Sequence, residues 1–327
     1  MSPLNVFVLA AGEGRRLLPL SKIFAKPSLP VFNESVLSLV LNRVLKLDGY
    51  VAVNAFHLAT QIKDICESYS PQKSIFVSHE DVLLGTGGGI RKLDSRLSAH
   101  SGPLLVTNAD IVSTIDFAAL VSAHKKRGAC CTMMLLNQHE AGSTPVFVSR
   151  NRQSVLGIGK IESTQDVVDL ENPKTYACAL VMEAELLEKI PKEPGDLWPA
   201  LRFAFSRKME VAAYFQEDLY WRDIGTPQSY SKTCFELASL LKNGSMSRLI
   251  EMGFIDDESQ WNAMKQCIRG DNENLFFSPN SKFSESVEEL SSQLKNTLFI
   301  SRPQNLENIP LDLRNAQVVK DASIVVV

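Results

Sequence analysis

Along the first two thirds of the chain, short apolar runs alternate with stretches that repeat at a helical period. The run N-V-F-V-L-A-A at 5–11 has no polar alternation, as expected for a strand covered on both faces. Between about 34 and 47, Val36, Val40 and Val44 recur every four residues, as do Leu37, Leu41 and Leu45, which predicts one apolar helix face. Y-V-A-V-N-A-F then predicts a strand, 58–68 a helix, S-I-F-V-S a strand, 85–89 a glycine-rich loop, and P-L-L-V-T-N-A-D another strand. A helix at 117–127 and the strand A-C-C-T-M-M-L-L follow. Repeated β-α units of this kind predict an α/β fold with a Rossmann-like, mixed but mostly parallel sheet flanked by helices. Residues 137–175 are more polar and predict hairpin strands and loops. The strand Y-A-C-A-L-V-M, a helix around 196–207, the strand V-A-A-Y-F, the segment Y-W-R-D-I-G-T-P and a helix from about 227 to 242 close this part.

Near residue 236 the pattern changes. We expect one domain over 1–235 and a small C-terminal extension over 236–327, with helices near 246–267 and 284–295 and short strands at the end. Charge adds a little. The 327 residues carry 34 basic and 37 acidic side chains, a net of −3. That balance argues against a dedicated nucleic-acid binder, which usually carries a basic surplus. No apolar run reaches the roughly 18 residues of a membrane span, and the start has no basic leader, so no membrane association is expected. Cys66, Cys130, Cys131, Cys178, Cys234 and Cys267 are scattered without metal-like spacing and read as reduced thiols of a cytoplasmic protein.

The first strand runs into G-E-G-R-R, Gly12 to Arg16. A glycine loop after a buried strand presents backbone N–H groups to an anion. A dinucleotide loop would want a third glycine at Leu17 and an acid where Asn54 sits, and a Walker-type loop is absent. Arg15 and Arg16 follow at once, and Lys26 comes ten residues later in A-K-P-S-L-P-V. Prolines at 19, 27 and 30 make this an ordered loop rather than a helix. Fixed cations beside a glycine turn point to phosphate binding.

The run L-A-A-G-E-G-R-R-L-L-P-L-S-K-I-F-A-K-P-S-L-P-V resembles the signature of the sugar-1-phosphate nucleotidylyltransferases over 23 consecutive positions. The resemblance continues in order through V-N-A-F-H-L, E-D-V-L-L-G-T-G-G-G, V-T-N-A-D-I and W-R-D-I-G-T-P-Q-S-Y, spanning roughly 5–235. It implies a nucleotidyltransferase-type fold and transfer of a nucleotidyl group from a nucleoside triphosphate to a sugar 1-phosphate, releasing pyrophosphate. It implies Mg²⁺ held by Asp110 and Asp223, pyrophosphate stabilised by Arg16, and charge near the α-phosphate neutralised by Lys26. Nucleotide contacts would fall on Leu9, Ala10, Ala11, Gly12, Gly14, Arg15, Glu80, Gly85 and Thr86. Glu80 takes the position that meets the base edge. An acceptor-only carboxylate suits the two N–H donors of guanine, so GTP is expected ahead of UTP.

Four departures stand out: Arg15 for a small Thr, Ala25 for a Pro, Ala109 for a Gly, and no recognisable E-K-P block. Lys160, in G-I-G-K-I-E-S-T, is the candidate to meet the sugar phosphate instead, and Cys178 stands where the family has a glycine. The changes fall on the sugar side. They leave open a regulatory homologue without turnover, or a transferase for a non-sugar phosphate such as phosphocholine. His57 and His79 read as structural or peripheral, Cys130, Cys131, Met133 and Met134 as core, and Trp221 as packing under the Asp223 turn. The apolar end V-V-V needs a cover, either the catalytic domain or a partner subunit, and a homodimer is expected.

Overall fold

The computed structural model describes residues 4–32, 34–69, 74–93, 102–162 and 171–242, together with 249–250, 255, 268–269, 274–277, 298–300, 317–319 and 324–326. Among them, ten strands form the central sheet. The Leu4–Leu9 strand lies between Gly49–Ala55 and Leu104–Asn108, parallel to both, and Ile75–His79 continues the parallel run beyond Gly49–Ala55. Side chains that alternate along these strands divide between two cores. Val6, Val8, Val51, Val53 and Leu105 pack with the Val36–Val44, Ala59–Glu67 and Phe117–Arg127 helices. Phe7, Ala52, Leu104 and Val106 pack with the Gly85–Lys92 and Trp198–Ser206 helices. Helices on both faces explain why the first strand is apolar at successive positions.

The direction reverses at the nine-residue strand Lys174–Met182, antiparallel to both Leu104–Asn108 and Cys131–Leu136. Val211–Tyr214 runs parallel to Cys131–Leu136. Beyond Lys174–Met182 the sheet continues as antiparallel strands Pro145–Val148, Val155–Ile158 and Lys160–Ile161, the hairpins expected from the polar stretch. Helix ends follow local chemistry. Ser35 accepts the Ser38 N–H at 2.9 Å to start Val36–Val44, and Asp116 accepts the Ala119 N–H at 2.8 Å to start Phe117–Arg127. Gly128, in the left-handed region at φ 67°, ends the latter.

The glycine-rich loop expected at 85–89 is instead the start of the Gly85–Lys92 helix. Glycine is a poor helix former, so the conformation is imposed from outside. A Cβ on Gly85 would lie 2.6 Å from the Gly195 carbonyl oxygen, and one on Gly87 2.3 Å from that of Asp196. The Gly87 N–H donates to the Gly195 oxygen at 2.9 Å. Gly85 and Gly87 thus allow the close approach of the 193–196 segment.

The helices expected over 246–267 and 284–295 lie almost wholly outside the described residues. The tail contributes a separate five-stranded sheet ordered Ile268–Arg269, Asn274–Phe277, Leu298–Ile300, Ile324–Val326, Gln317–Val319. Leu249, Ile255, Leu298, Ile300 and Ile324 are buried in one cluster with Leu17, Leu20, Phe24, Phe32, Leu39, Tyr230 and Leu237. For these tail residues the cover is the chain's own N-terminal loop and the Pro227–Lys242 helix. Truncation after Lys242 would return that face to water, at roughly 1.5–3 kcal/mol per large apolar side chain. The truncated protein is expected to melt at least about 5 °C lower and to lose solubility. An unchanged melting curve would show that the cluster holds without its tail residues.

Candidate active site

Three charged groups far apart in sequence converge at the carboxyl ends of the central strands. The Lys26 ammonium donates to Asp110 Oδ2 at 2.9 Å and to Asp223 Oδ1 at 3.0 Å. Asp110 follows the Leu104–Asn108 strand, and Asp223 ends the Trp221–Asp223 strand, which pairs with Ile111–Ser113 immediately after Asp110. The I-V-S that follows Asp110 is thus a strand, and the acid is no helix cap. Lys26 is only 7% exposed. Burial alone would lower its pKa, but the charges of Asp110 and Asp223 and their hydrogen bonds outweigh it, so the value rises above the ordinary 10.5.

The lysine is held by its loop. Three short 3₁₀ turns, Arg15–Leu17, Leu20–Lys22 and Lys26–Ser28, carry the chain back across the sheet. Gln61, on the Ala59–Glu67 helix, accepts the Ala25 N–H at 2.9 Å and the Ser28 hydroxyl at 2.5 Å, and donates to the Ile23 carbonyl at 2.7 Å. A His57 ring nitrogen sits 2.6 Å from the Ser21 oxygen, which agrees with a structural histidine. Gln61 was not singled out by the sequence. Its signal was weak, a polar residue on a helix beside the loop.

Gly14 adopts φ +63°, and its carbonyl accepts the Leu17 N–H at 2.8 Å, closing the turn that presents Arg16. Arg16 is 73% exposed, and its Nη2 lies 3.6 Å from Asp223 Oδ2. Arg15 is exposed and ion-paired with Glu13 at 2.5 Å. A Cβ on Gly225 would fall 2.9 Å from both Arg16 Nη2 and Asp223 Oδ1, so this glycine, which the sequence reading passed over, clears the space between them. At Gly12 a Cβ would meet nothing within 4 Å. Ala10 and Ala11 are buried. The Leu9 carbonyl accepts the Ala109 N–H at 2.9 Å, and the Ala10 N–H is taken by Asn54 Oδ1 at 2.7 Å.

Other expected residues fall elsewhere. Glu80 is buried, and both its oxygens accept bonds from the chain itself, one from Asn54 and one from the Leu84 N–H. The carboxylate expected to face a base therefore already serves the fold. Gly85 and Thr86 belong to the helix start. Lys160 is exposed in the last strand of the sheet, the fourth out from Leu104–Asn108, and no described contact brings it to the Lys26 cluster. Trp221 donates its indole N–H to the Ala177 oxygen at 3.1 Å.

Cys178 lies beside the cluster. The Lys174–Met182 strand is irregular between Tyr176 and Leu180, and there Cys178 takes φ +63°. Burial pushes its thiol pKa up, the Asp110 and Asp223 charges push it further, and Lys26 pulls it back, so the thiol stays protonated. Cys66, Cys130, Cys131 and Cys234 are buried free thiols, as expected of core residues, and Cys267 lies outside the described residues.

The centre suits a divalent cation with oxygen ligands. Asp110 Oδ1 is buried and has no hydrogen-bond partner. Two carboxylates with one free buried oxygen fit Mg²⁺, which keeps waters and takes phosphate oxygens besides a few protein ligands.

The nucleotidyl transferase family model matches residues 5–170. The mannose-1-phosphate guanylyltransferase of Mycobacterium tuberculosis is 25% identical over 241 residues, covering 71% of this chain and 64% of the relative. The UTP–glucose-1-phosphate uridylyltransferase of Synechocystis is 25% identical over 248 residues, covering 69% and 61%. The chain thus spans less than two thirds of the length of either curated relative. Among solved structures, HddC from Yersinia pseudotuberculosis superposes with a TM-score of 0.55 at 18% identity, over 72% of this chain and all of that one. A putative glucose-1-phosphate thymidylyltransferase from Bacillus anthracis gives 0.59 at 13%, over 71% and 94%. Both share the fold.

Two substitutions test the geometry. Cys178→Gly removes a side chain from left-handed backbone and should stabilise the protein by about 1 kcal/mol, read as a rise in melting temperature. A lower melting temperature would mean that the thiol's contacts outweigh the strain. Lys26→Met leaves two facing carboxylates without their cation and should cost about 1–3 kcal/mol, both acids being partly solvated. Because the folded pKa of Lys26 is raised, its contribution is complete at neutral pH and is lost only as pH climbs through the raised value. The stability gap between wild type and Lys26→Met should therefore stay flat up to the ordinary lysine range and shrink above it. A gap that closes near pH 7 would refute the raised value.

Proposed function

The chain belongs to the nucleotidyl transferase family, and from that membership we propose that it transfers a nucleotidyl group from a nucleoside triphosphate to a sugar 1-phosphate. The observation that carries the reading is the buried ammonium of Lys26 between Asp110 and Asp223, beside the Gly14 turn and the exposed Arg16. A sugar-phosphate oxygen attacks the α-phosphorus, the new P–O bond forms, and the bond to the β-phosphate breaks to release pyrophosphate. The attacking oxygen arrives already ionised, so the chain supplies position and charge rather than a base. Lys26 is held charged and fixed, ready to neutralise a phosphoryl group at the strand ends. Arg16, on the turn closed by Gly14, is free to swing onto the departing pyrophosphate. Asp110 and Asp223 are the residues that would hold Mg²⁺. When bound, the ion would draw charge from the phosphate oxygens.

We favour GTP as donor, with UTP second. Relatives named guanylyltransferases occur in several organisms, a uridylyltransferase is also among the relatives, and HddC has been crystallised with GMP-PN. A second reading, a homologue kept for regulation rather than turnover, draws on one observation. Lys160, the only replacement suggested for the missing sugar-phosphate lysine, is outside the cluster.

A pyrophosphate-release screen of four nucleoside triphosphates against sugar 1-phosphates and phosphocholine separates these readings. Release is expected with GTP and one sugar 1-phosphate, and no release with any pair would favour the regulatory homologue. In the active pair, Asp110→Asn and Asp223→Asn should each lower turnover by at least about 100-fold while melting curves move little. Near-normal Mg²⁺-dependent turnover in both variants would remove the metal from this site.

A further inference from the structure

Asn54 and Glu80 form a buried polar pair that the chemistry above does not use. They are 3% and 1% exposed. The Ala10 N–H donates to Asn54 Oδ1 at 2.7 Å, Asn54 Nδ2 donates to Glu80 Oε1 at 2.7 Å, and the Leu84 N–H donates to Glu80 Oε2 at 3.0 Å. The Glu80 N–H in turn donates to the Ala55 oxygen at 2.8 Å. A Cβ on Gly89 would lie 3.1 Å from both Asn54 Nδ2 and Glu80 Oε1, so a side chain at residue 89 would crowd the pair.

We infer that Asn54 and Glu80 are positioning residues which set the spacing between the two walls of the nucleotide pocket. One end of the chain of bonds is the backbone that opens the Gly12–Arg16 turn, and the other is the start of the Gly85–Lys92 helix. The inference rests on the nucleotide-binding reading above. Its polarity is fixed at each link. Asn54 must turn its oxygen to Ala10 and its amide nitrogen to Glu80, and Glu80 must accept on both oxygens. Leaving a carboxylate in the interior against N–H donors alone is costly, so its return is geometric: three strand ends and a helix start held in one register.

That polarity supplies the test. Glu80→Gln sets an NH₂ group against either the Asn54 amide or the Leu84 N–H, and Asn54→Asp sets two carboxylates against each other. The double variant N54D/E80Q restores every donor to an acceptor. The new carboxylate at position 54 accepts from the Ala10 N–H and from the new amide at position 80. The oxygen of that amide accepts the Leu84 N–H, and the net charge is unchanged. Binding of GTP and of UTP is measured by titration calorimetry, with kcat and KM for the pair found active in the screen. Each single variant should weaken binding and raise KM at least about 10-fold with a much smaller change in kcat, and the double variant should return both to within about 3-fold of wild type.

A soluble double variant that binds as weakly as the singles overturns the inference and returns Glu80 to direct base contact. A double variant that fails to fold overturns it too, because all the hydrogen bonds are conserved. Wild-type protein that binds neither nucleotide refutes the functional reading itself, a result separate from failure of the double variant alone.

Discussion

A protonated amine held out of water between two carboxylates is the constraint around which the rest of this molecule is arranged. Burial works against the charge of the Lys26 ammonium, and Asp110 and Asp223 together more than offset it. The two acids reach it only because the strand carrying Asp223 pairs with the residues that follow Asp110. A lysine on a proline-bound loop, an aspartate at a strand end and a second aspartate far along the chain thus depend on one another. The Gln61 side chain, gripping three groups of the lysine loop, ties this triad to the adjacent helix.

The sheet supplies the frame in two unequal halves. Its parallel part delivers Gly14, Asn54, Glu80 and Asp110 at or near the same ends of neighbouring strands, as parallel sheets do for ligands in general. The long antiparallel strand Lys174–Met182 follows on that side, and its irregular stretch places Cys178 near the acids. The hairpins beyond it contribute no described contact to the cluster. Of the departures from the family pattern, Cys178 and Lys160 fall on this antiparallel side, while Arg15, Ala25 and Ala109 lie on the parallel side, which keeps Arg16, Lys26 and Asp110.

Much of this was legible in the sequence. Apolar periodicity located the Val36–Val44 and Phe117–Arg127 helices and the main strands, because burial on two faces leaves a continuous apolar run and a four-residue repeat leaves a stripe. The proline-bound loop singled out Lys26, and the family resemblance named Asp110 and Asp223 with it. Partnership was less visible. Nothing in the order of residues says that Asn54 takes the Ala10 N–H or that both Glu80 oxygens are occupied, since the two bonds made by the Asn54 side chain join segments 26 and 44 residues apart. The reading of 85–89 as a loop followed propensity correctly and still missed the helix, because the deciding contact comes from residues 193–196.

That helix has an unequal hold on its own shape. Four of the eight residues in G-T-G-G-G-I-R-K are glycine, and at about 1 kcal/mol each relative to alanine they make the segment a coil on its own account. Its order is borrowed from the 193–196 backbone and from the Glu80 carboxylate that receives the Leu84 N–H. Such an element is expected to open at lower free energy than the strands beside it, its amides exchanging with solvent before those of Leu4–Leu9. Were that borrowed hold to lapse, this segment would come loose while the sheet that carries the acids stayed intact.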